Sequence, residues 1–203
     1  ARSTGRRSPD TWASVPTTSR QHLATRLEDV VPPDEDFSRL IVYDTSGVTG
    51  HAIHVPHHPR AIAQNHALME FVLEQYGVRP RFSPDVVACL NVGAQVSTVV
   101  FATVFSVWNQ AGFAKVNLHA RAWTADRARR FFGDLAPLFL TGDPLGFAEM
   151  LAWEIDVRPS AMLSTAVALL PGLSTRLREA YQCPIVDTYA TTETGPIAYA
   201  HPA

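Results

Sequence analysis

From Ser38 onward, short runs of β-branched and aromatic residues alternate with stretches whose apolar residues recur every three or four positions. Runs of the first kind predict strands, and stretches of the second kind predict helices. The predicted strands are residues 40–43, 86–90, 115–118, 138–140, 161–164, 184–188 and 197–200. The predicted helices are residues 59–76, 95–108, 124–132, 147–155 and 174–181. This alternation predicts βαβ units, and therefore an α/β fold with a largely parallel β-sheet and flanking helices.

Several helix boundaries carry their own signals. Pro59 is suited to the first turn of a helix, and Gly77 is suited to the end of the same helix. Thr124 and Ser174 are predicted N-caps, because their hydroxyls can accept hydrogen bonds from free backbone N–H groups. Asp126 in the first turn complements the positive end of the helix dipole.

Residues 86–114 contain no charged side chain and are long enough to raise the question of a membrane span. Their Asn, Gln, Ser and Thr side chains would be costly in lipid, so a buried strand followed by a buried helix is the better prediction. Residues 1–20 are rich in Ser, Thr and Arg, which allows a transit peptide, but we interpret them as a surface lead-in. Since no secretory apolar segment is visible, we predict a cytoplasmic protein.

The amino-acid composition limits the kinds of partner and ligand that the chain can be expected to bind. The 203 residues include 17 basic and 19 acidic side chains, and this balance argues against nucleic acid as the main partner. Cys89 and Cys183 are too few for a disulfide framework or a four-cysteine zinc site. Lys115 is the only lysine. We predict a lead-in segment over residues 1–37, packed on one α/β domain over residues 38–203.

The first predicted strand leads into a loop over residues 44–51, with the sequence DTSGVTGH. Ligands of open α/β sheets bind at the carboxyl ends of strands. Glycines let the backbone approach a polyphosphate, and hydroxyl and N–H groups hydrogen-bond its oxygens. The spacing is not that of a Walker A loop. A solvent-exposed turn is the alternative, because Ser, Thr and Gly dominate ordinary turns.

A second motif, DTYATTETG, covers residues 187–195 at the end of a late strand. It offers an aromatic ring that can stack on a base, hydroxyls for phosphate, and a carboxylate for Mg²⁺. The alternative is a Thr-rich β-turn in which Glu193 is an ordinary surface charge.

In this order, the two loops resemble the phosphate-binding loop and the Tyr-Gly-x-Thr-Glu motif of the adenylate-forming superfamily, the acyl-CoA synthetases and AMP-binding enzymes. The chain looks most like the N-terminal part of the phenylacetate–CoA ligase-like branch. Residues 15–23 resemble the Pro-x-Thr-x-Lys-x-Asp-Leu lead-in of that branch, and residues 137–144 resemble the strand and Pro turn that line its acyl pocket. Residues 177–193 resemble the helix, strand and motif of its nucleotide site.

The resemblance implies the N-terminal large-domain portion of an enzyme that activates a carboxylic acid with ATP and Mg²⁺ and passes the acyl group to coenzyme A or a carrier thiol. Thr192 and Glu193 would be catalytic, with Thr192 at the α-phosphate and Glu193 as the Mg²⁺ ligand. The residues implied to bind the nucleotide are Thr45, Ser46, Gly47, Thr49, Gly50, His51, Asp187, Tyr189, Ala190 and Thr192. The implied acyl pocket contains Val92, Gly93, Gly142 and Pro144.

Several positions depart from the family pattern. Val48 replaces a hydroxyl residue, and His51 replaces a lysine, which brings less positive charge to the phosphates. Residues 164–167 stand where the family has a Gly-Gly-Glu-like adenine-binding segment. Residues 141–143 imitate a ribose-binding Thr-Gly-Asp but precede the tyrosine motif, so we interpret them as a turn in the pocket wall. The adenylation lysine and the C-terminal lysine domain have no counterpart, so we expect a truncated chain that is inactive alone.

Other interpretations stay open. A degenerate, non-catalytic relative could bind nucleotide or serve as a scaffold. His51, His54, His57 and His58 have a spacing that can bind zinc, although histidines before Pro59 are also common at surfaces. The resemblance to the phenylacetate–CoA ligase-like branch implies an aryl acid as substrate and a homodimer, but the residues themselves do not determine which acyl group is bound.

Overall fold

A computed structural model of the protein describes residue 17, residues 19–44 and residues 53–202. The chain divides into two compact units, of which one ends at Ala61 and the other begins at Ile62. The lead-in proposed for residues 1–37 stays a prediction. Among the described residues, no helix combines the length and the apolar character that a bilayer span requires.

The smaller unit contains a short helix and a β-hairpin. Helix α1 (Arg20–Thr25) is preceded by Ser19, whose hydroxyl accepts a hydrogen bond from the backbone N–H of His22. Strands β1 (Ile41–Asp44) and β2 (His54–His57) pair antiparallel in a sheet of their own.

This hairpin changes the prediction for the first strand. The strand exists, but its expected place in a parallel βαβ unit is wrong, because β1 pairs only with β2 in the described structure. Strand β2 was missed since its sequence, His-Val-Pro-His, has little β-propensity.

The larger unit is an α/β layer structure. Its first helix is α2, which spans Pro59–Gln75. The other helices are α3 (Ala125–Leu135), α4 (Pro144–Ala152) and α5 (Pro171–Tyr181). The strands are β3 (Val87–Gly93), β4 (Phe101–Phe105), β5 (Ala111–Asn117), β6 (Phe139–Gly142), β7 (Met162–Ser164), β8 (Ile185–Thr191) and β9 (Gly195–Tyr199).

These strands form one seven-stranded sheet in the order β4-β5-β3-β6-β7-β8-β9. The five central strands are parallel, while β4 and β9 run antiparallel at the two edges. The prediction of an α/β fold with a largely parallel sheet and flanking helices is therefore confirmed.

The helix predicted over residues 95–108 is wrong. That stretch contains β4 and a short 3₁₀ turn (Ser106–Trp108). Its β-branched and aromatic residues suit an extended strand, and β4 forms a hairpin with β5. Asn109 and Gln110 both have positive φ, which reverses the chain between the two strands.

Most helix-boundary signals agree with the structure. Thr124 caps α3, and α2 ends before Gly77, which has a φ of +73°. Ser174, however, is not an N-cap: α5 begins at Pro171, and Ser174 lies inside it. Similarly, α4 begins at Pro144 rather than at the predicted Phe147.

Two hydrophobic clusters include residues of the sheet and of the helices that pack against it. One contains buried residues of α3, α4 and α5, together with Leu90 and Leu140. The other contains residues of α2 around the fully buried Trp108. Neighbouring residues of a strand contribute to different clusters, as Phe139 and Leu140 do, because successive side chains point to opposite faces.

Candidate functional site: two adjoining clefts

The strand order places a topological switch point between β3 and β6. After β3 the chain forms β4 and β5 on one side of β3, whereas after β6 it forms β7 on the other side. In open α/β sheets, ligands bind beside such a point at the carboxyl ends of the strands. Asn91 of β3 and Thr141 of β6 are register partners there, near the ends of their strands.

A cleft of about 520 Å³ opens beside this pair. It is lined by α2 and by residues of six strands of the sheet, β3 and β5 to β9. Its apolar wall residues are Leu68, Met69, Val72, Phe113, Leu163, Ala190, Pro196, Ile197 and Ala198. Its polar residues are Asn65, Asn91, Thr141, Thr165, Thr188 and Tyr199. We call it the apolar cleft.

The polar groups on its floor are linked to one another. Asn91 Nδ2 donates a hydrogen bond of 2.9 Å to Thr141 Oγ1, which also lies 3.6 Å from Cys89 Sγ. Burial raises the pKa of the Cys89 thiol to about 12, so the sulfur stays protonated at neutral pH. The floor therefore consists of neutral hydrogen-bonding groups held in fixed orientations.

A second cleft of about 420 Å³ lies beside the first. Its walls are residues 166–168 on one side and parts of β8 and β9 on the other. We call it the hairpin cleft. Asp187, Tyr189 and Ala190, three residues of the sequence motif, all line it. Tyr189 is 60% exposed, and its aromatic ring is of a type that can stack on a planar ligand.

The two clefts are continuous in their lining. Both are lined by Thr188, Ala190, Ala198 and Tyr199. Thr188 Oγ1 donates a 2.6 Å hydrogen bond to the backbone oxygen of Ser164, which ties β8 to the strand that precedes residues 166–168. One ligand can therefore contact both clefts if it has two distinct parts.

The rest of the motif forms the turn of the β8–β9 hairpin. Thr192 and Glu193 are exposed in this turn, and Gly195 has a φ of +72° that suits glycine. Neither Thr192 nor Glu193 lines the two clefts described above. Their roles at the α-phosphate and Mg²⁺ stay predictions.

The predicted phosphate-binding residues cannot be placed. Thr45, Ser46, Gly47, Thr49, Gly50 and His51 lie outside the described residues, and so does Val48.

The predicted acyl-pocket residues lie beside the apolar cleft rather than in its lining. Val92 is fully buried, and Gly93 and Pro144 are buried as well. Gly142 lies so close to the backbone of Val92 that a Cβ there would collide with the carbonyl oxygen. Their assignment to an acyl pocket stays a prediction. Thr141, which we interpreted as part of a wall turn, does line the apolar cleft.

The histidines do not form a described metal site. His54 Nδ1 lies 2.6 Å from Asp44 Oδ1, and His58 Nε2 lies 3.8 Å from Glu35 Oε1. Within the part of the chain that the structure describes, no group of three or more His, Cys, Asp or Glu side chains could hold a metal ion. His51 lies outside that part.

Sequence reasoning did not assign a role to Asn91 or Asn65. Asn91 had a detectable signal, since it is a single polar residue inside an otherwise apolar buried strand. Asn65 had none, because polar residues are common on the exposed face of a surface helix. Only the packing of α2 on the sheet brings both into one cleft.

The described structure thus defines an α/β protein with two adjoining clefts, one of them at a topological switch point. No family model matches the chain, and no curated protein matches it either. Solved structures do share its fold. One is a 2-hydroxyisobutyryl-CoA ligase in complex with 2-HIB-AMP and CoA, with a TM-score of 0.59 and 15% identity over 91% of this chain and 41% of that chain.

Two further solved structures also share the fold of this chain. An anthranilate CoA ligase, AuaEII, in complex with anthranoyl-AMP has a TM-score of 0.57 and 17% identity over 80% of this chain and 31% of its own. The N-terminal subdomain of Klebsiella oxytoca NpsA, in complex with 3-hydroxyanthranilyl-AMSN, has a TM-score of 0.52 and 17% identity over 80% and 40% of the two chains. The chain spans less than half the length of these structures. The chain therefore shares the fold of a part of each of these solved structures.

Proposed function

We propose that the protein contributes the nucleotide- and acyl-binding part of an ATP-dependent acid–thiol ligase. The hairpin cleft would receive the adenosine of an acyl-adenylate, and the apolar cleft would receive its acyl group. One observation carries the proposal: the two clefts adjoin and share four lining residues, Thr188, Ala190, Ala198 and Tyr199. An acyl-adenylate also has two distinct parts, since a phosphate joins an adenosine with a planar base to an acyl group.

The fold supports this assignment. The solved structures that share it include enzymes whose bound molecules are acyl-AMP compounds and CoA. We therefore assign ATP and coenzyme A as co-substrates of the proposed reaction. We also assign the chain to the phenylacetate–CoA ligase-like branch and an aryl acid as its substrate, on the resemblance of its two loops.

Each residue in the proposed site has a physical task. Tyr189 would stack on the adenine, and Asp187 would contact its edge. Thr192 would donate to the α-phosphate, and Glu193 would hold Mg²⁺ if the ion binds at the hairpin turn. Such groups would accelerate transfer of the adenylyl group from ATP to the carboxylate, with pyrophosphate as the leaving group, by neutralising charge in the transition state and by aligning the attacking carboxylate.

Calorimetry tests the proposal on the 203-residue chain. We expect AMP and a benzoyl-sulfamoyl-adenosine, a stable acyl-adenylate analogue, to bind in the presence of Mg²⁺. Base–aromatic stacking contributes about 1–3 kcal/mol, so Tyr189→Ala should weaken binding by about 5- to 150-fold.

Val104→Ala is a matched control for this experiment. Val104 is 55% exposed, close to the 60% of Tyr189, and it lies on β4 at the opposite edge of the sheet. This variant should bind both compounds as the unmodified chain does. If neither compound binds the unmodified chain, the proposed function is wrong. Nucleotide binding without carboxylate-dependent pyrophosphate release, even when a lysine-bearing C-terminal domain is supplied, would favour a non-catalytic binding module.

A further inference from the structure

The two edges of the seven-stranded sheet differ in how they are protected against pairing with another strand. At one edge, β9 contains Pro196, which has no N–H to donate, and its register with β8 shifts between Tyr189 and Ala190. Proline and such irregularities commonly block a strand edge. At the other edge, β4 is a five-residue strand without proline, glycine or charge, and its register with β5 has no shift. In the described structure, β4 therefore lacks the protection that β9 has.

The surface around β4 is apolar. Within the described residues, β4 pairs with no strand other than β5. We call β4 and the residues on both sides of it, residues 96–107, the apolar edge. Its exposed large apolar residues are Val96, Val99, Val100, Phe101, Val104 and Val107. Exposed apolar side chains that cluster beside an unpaired strand indicate an interaction surface.

The absence of charge limits what can cover this surface. Residues 86–114 include no charged side chain. The apolar edge therefore carries no charge that would select a basic or an acidic partner, and two copies of it can meet without opposing like charges. A second copy of the chain is a partner that is itself uncharged and apolar at this position.

The sequence of β4, FATVF, is suited to antiparallel pairing with itself about Thr103. In that register Thr103 lies opposite Thr103 of the second copy, Phe101 lies opposite Phe105, and the small Ala102 lies opposite the larger Val104. Thr–Thr and aromatic pairs across two strands are stabilising. The backbone N–H and C=O groups that an edge strand leaves unpaired would also gain partners.

We propose that the protein forms a two-fold symmetric homodimer in which β4 pairs with β4 of a second copy about Thr103 and joins the two sheets. Since the β9 edge is blocked, the assembly ends at two copies and does not extend into a fibre. The inference goes beyond the proposed function and does not depend on it, because none of residues 96–107 lines the apolar cleft or the hairpin cleft.

Sedimentation equilibrium of charge variants at Thr103 tests the dimer. Thr103 is exposed, so the single chain can accommodate a charged side chain there. We expect the unmodified chain to sediment with twice the mass of one chain. Thr103→Lys and Thr103→Glu each place like charges opposite each other at the two-fold axis, which should raise the dissociation constant of the dimer about tenfold or more. An equimolar mixture of the two variants should restore the dimer, because each Lys then faces a Glu.

Thr175→Lys is a matched control. It makes the same substitution at an exposed position of α5, away from the apolar edge. This variant should dimerise as the unmodified chain does. Far-UV circular dichroism checks that each variant is folded, and Thr103→Arg or Thr103→Asp replaces a variant that is not.

The outcomes decide both the dimer and its register. A monomeric unmodified chain, or growth beyond the dimer, overturns the inference. A dimer that persists in both Thr103 variants, or a mixture of folded variants that stays monomeric, also overturns the pairing about Thr103. Failure of AMP to bind would overturn the proposed function and leave this inference standing, because sedimentation measures the dimer without any ligand.

Discussion

The packing of α4 on β3 gives a quantitative prediction about stability. Gly146, in the first turn of α4, lies directly against the backbone of β3. A Cβ at this position would lie 2.7 Å from the carbonyl oxygen of Val92 and 2.9 Å from its carbonyl carbon, whereas ordinary contacts begin at 3.4 Å. Both are main-chain atoms of a buried strand, so Gly146→Ala requires α4 to move away from the sheet.

Gly172 provides a matched comparison. It also lies in the first turn of a helix with proline at the first position, α5, and a Cβ there would have nothing within 4 Å. Gly172→Ala should stabilise the chain by about 0.4–1 kcal/mol, because alanine restricts the unfolded chain. Gly146→Ala gains a similar amount but also overpacks the contact with β3, at a cost of about 1–3 kcal/mol. Since the gain is common to both variants, they should differ by about 1–3 kcal/mol in the free energy of unfolding.

Urea denaturation followed by far-UV circular dichroism measures this difference directly. The midpoint for Gly172→Ala should be equal to or above that of the unmodified chain, and the midpoint for Gly146→Ala should be clearly lower than that of Gly172→Ala. Equal midpoints for the two variants would refute the close approach of α4 to β3. A third variant, Gly133→Ala in the last turn of α3, where a Cβ would also have nothing within 4 Å, should behave like Gly172→Ala.

Two further predictions concern the hairpin cleft and the buried thiols. Ala166 has a φ of +76°, a left-handed backbone conformation that costs an L-residue about 1–2 kcal/mol. Ala166→Gly should therefore raise the free energy of unfolding by up to about 1 kcal/mol, whereas Ala168→Gly, at a position without positive φ, should lower it. Thermal unfolding of both variants checks the sign of each change. Burial raises the pKa of Cys89 to about 12 and that of Cys183 to about 11, from an ordinary value of 9.0. The unfolded chain therefore loses these protons first, and stability should be constant below about pH 8.5 and then fall by up to about 1.4 kcal/mol per pH unit for each thiol above pH 9. Denaturation of Cys89→Ala between pH 8 and 10.5 should show a shallower fall, and an unchanged slope would contradict the assignment to this thiol.

The fold could be predicted from the sequence where one signal dominated. Strands β3, β6, β7 and β8 are short apolar runs between helical patterns, and they lie within a few residues of their predicted positions. The same reasoning failed for residues 95–108, because this uncharged and largely apolar stretch has no clear periodicity that separates a strand from a buried helix.

The candidate site was predictable only in part. Asp187, Tyr189 and Ala190 belong to one local motif, and the structure places all three in the hairpin cleft. Asn91 and Asn65 come from a strand and a helix far apart in sequence, and their shared cleft results from tertiary packing that no local pattern encodes.

Strand β8 shows why the sequence motif could be recognised, whereas the cleft that each of its residues lines could not be predicted. Asp187 and Tyr189 line the hairpin cleft and not the apolar cleft, whereas the residues between and after them, Thr188 and Ala190, line both. The register with β9 also shifts between Tyr189 and Ala190. Which residues would read the adenosine and which the acyl group therefore depends on the pairing of β8 with its neighbours.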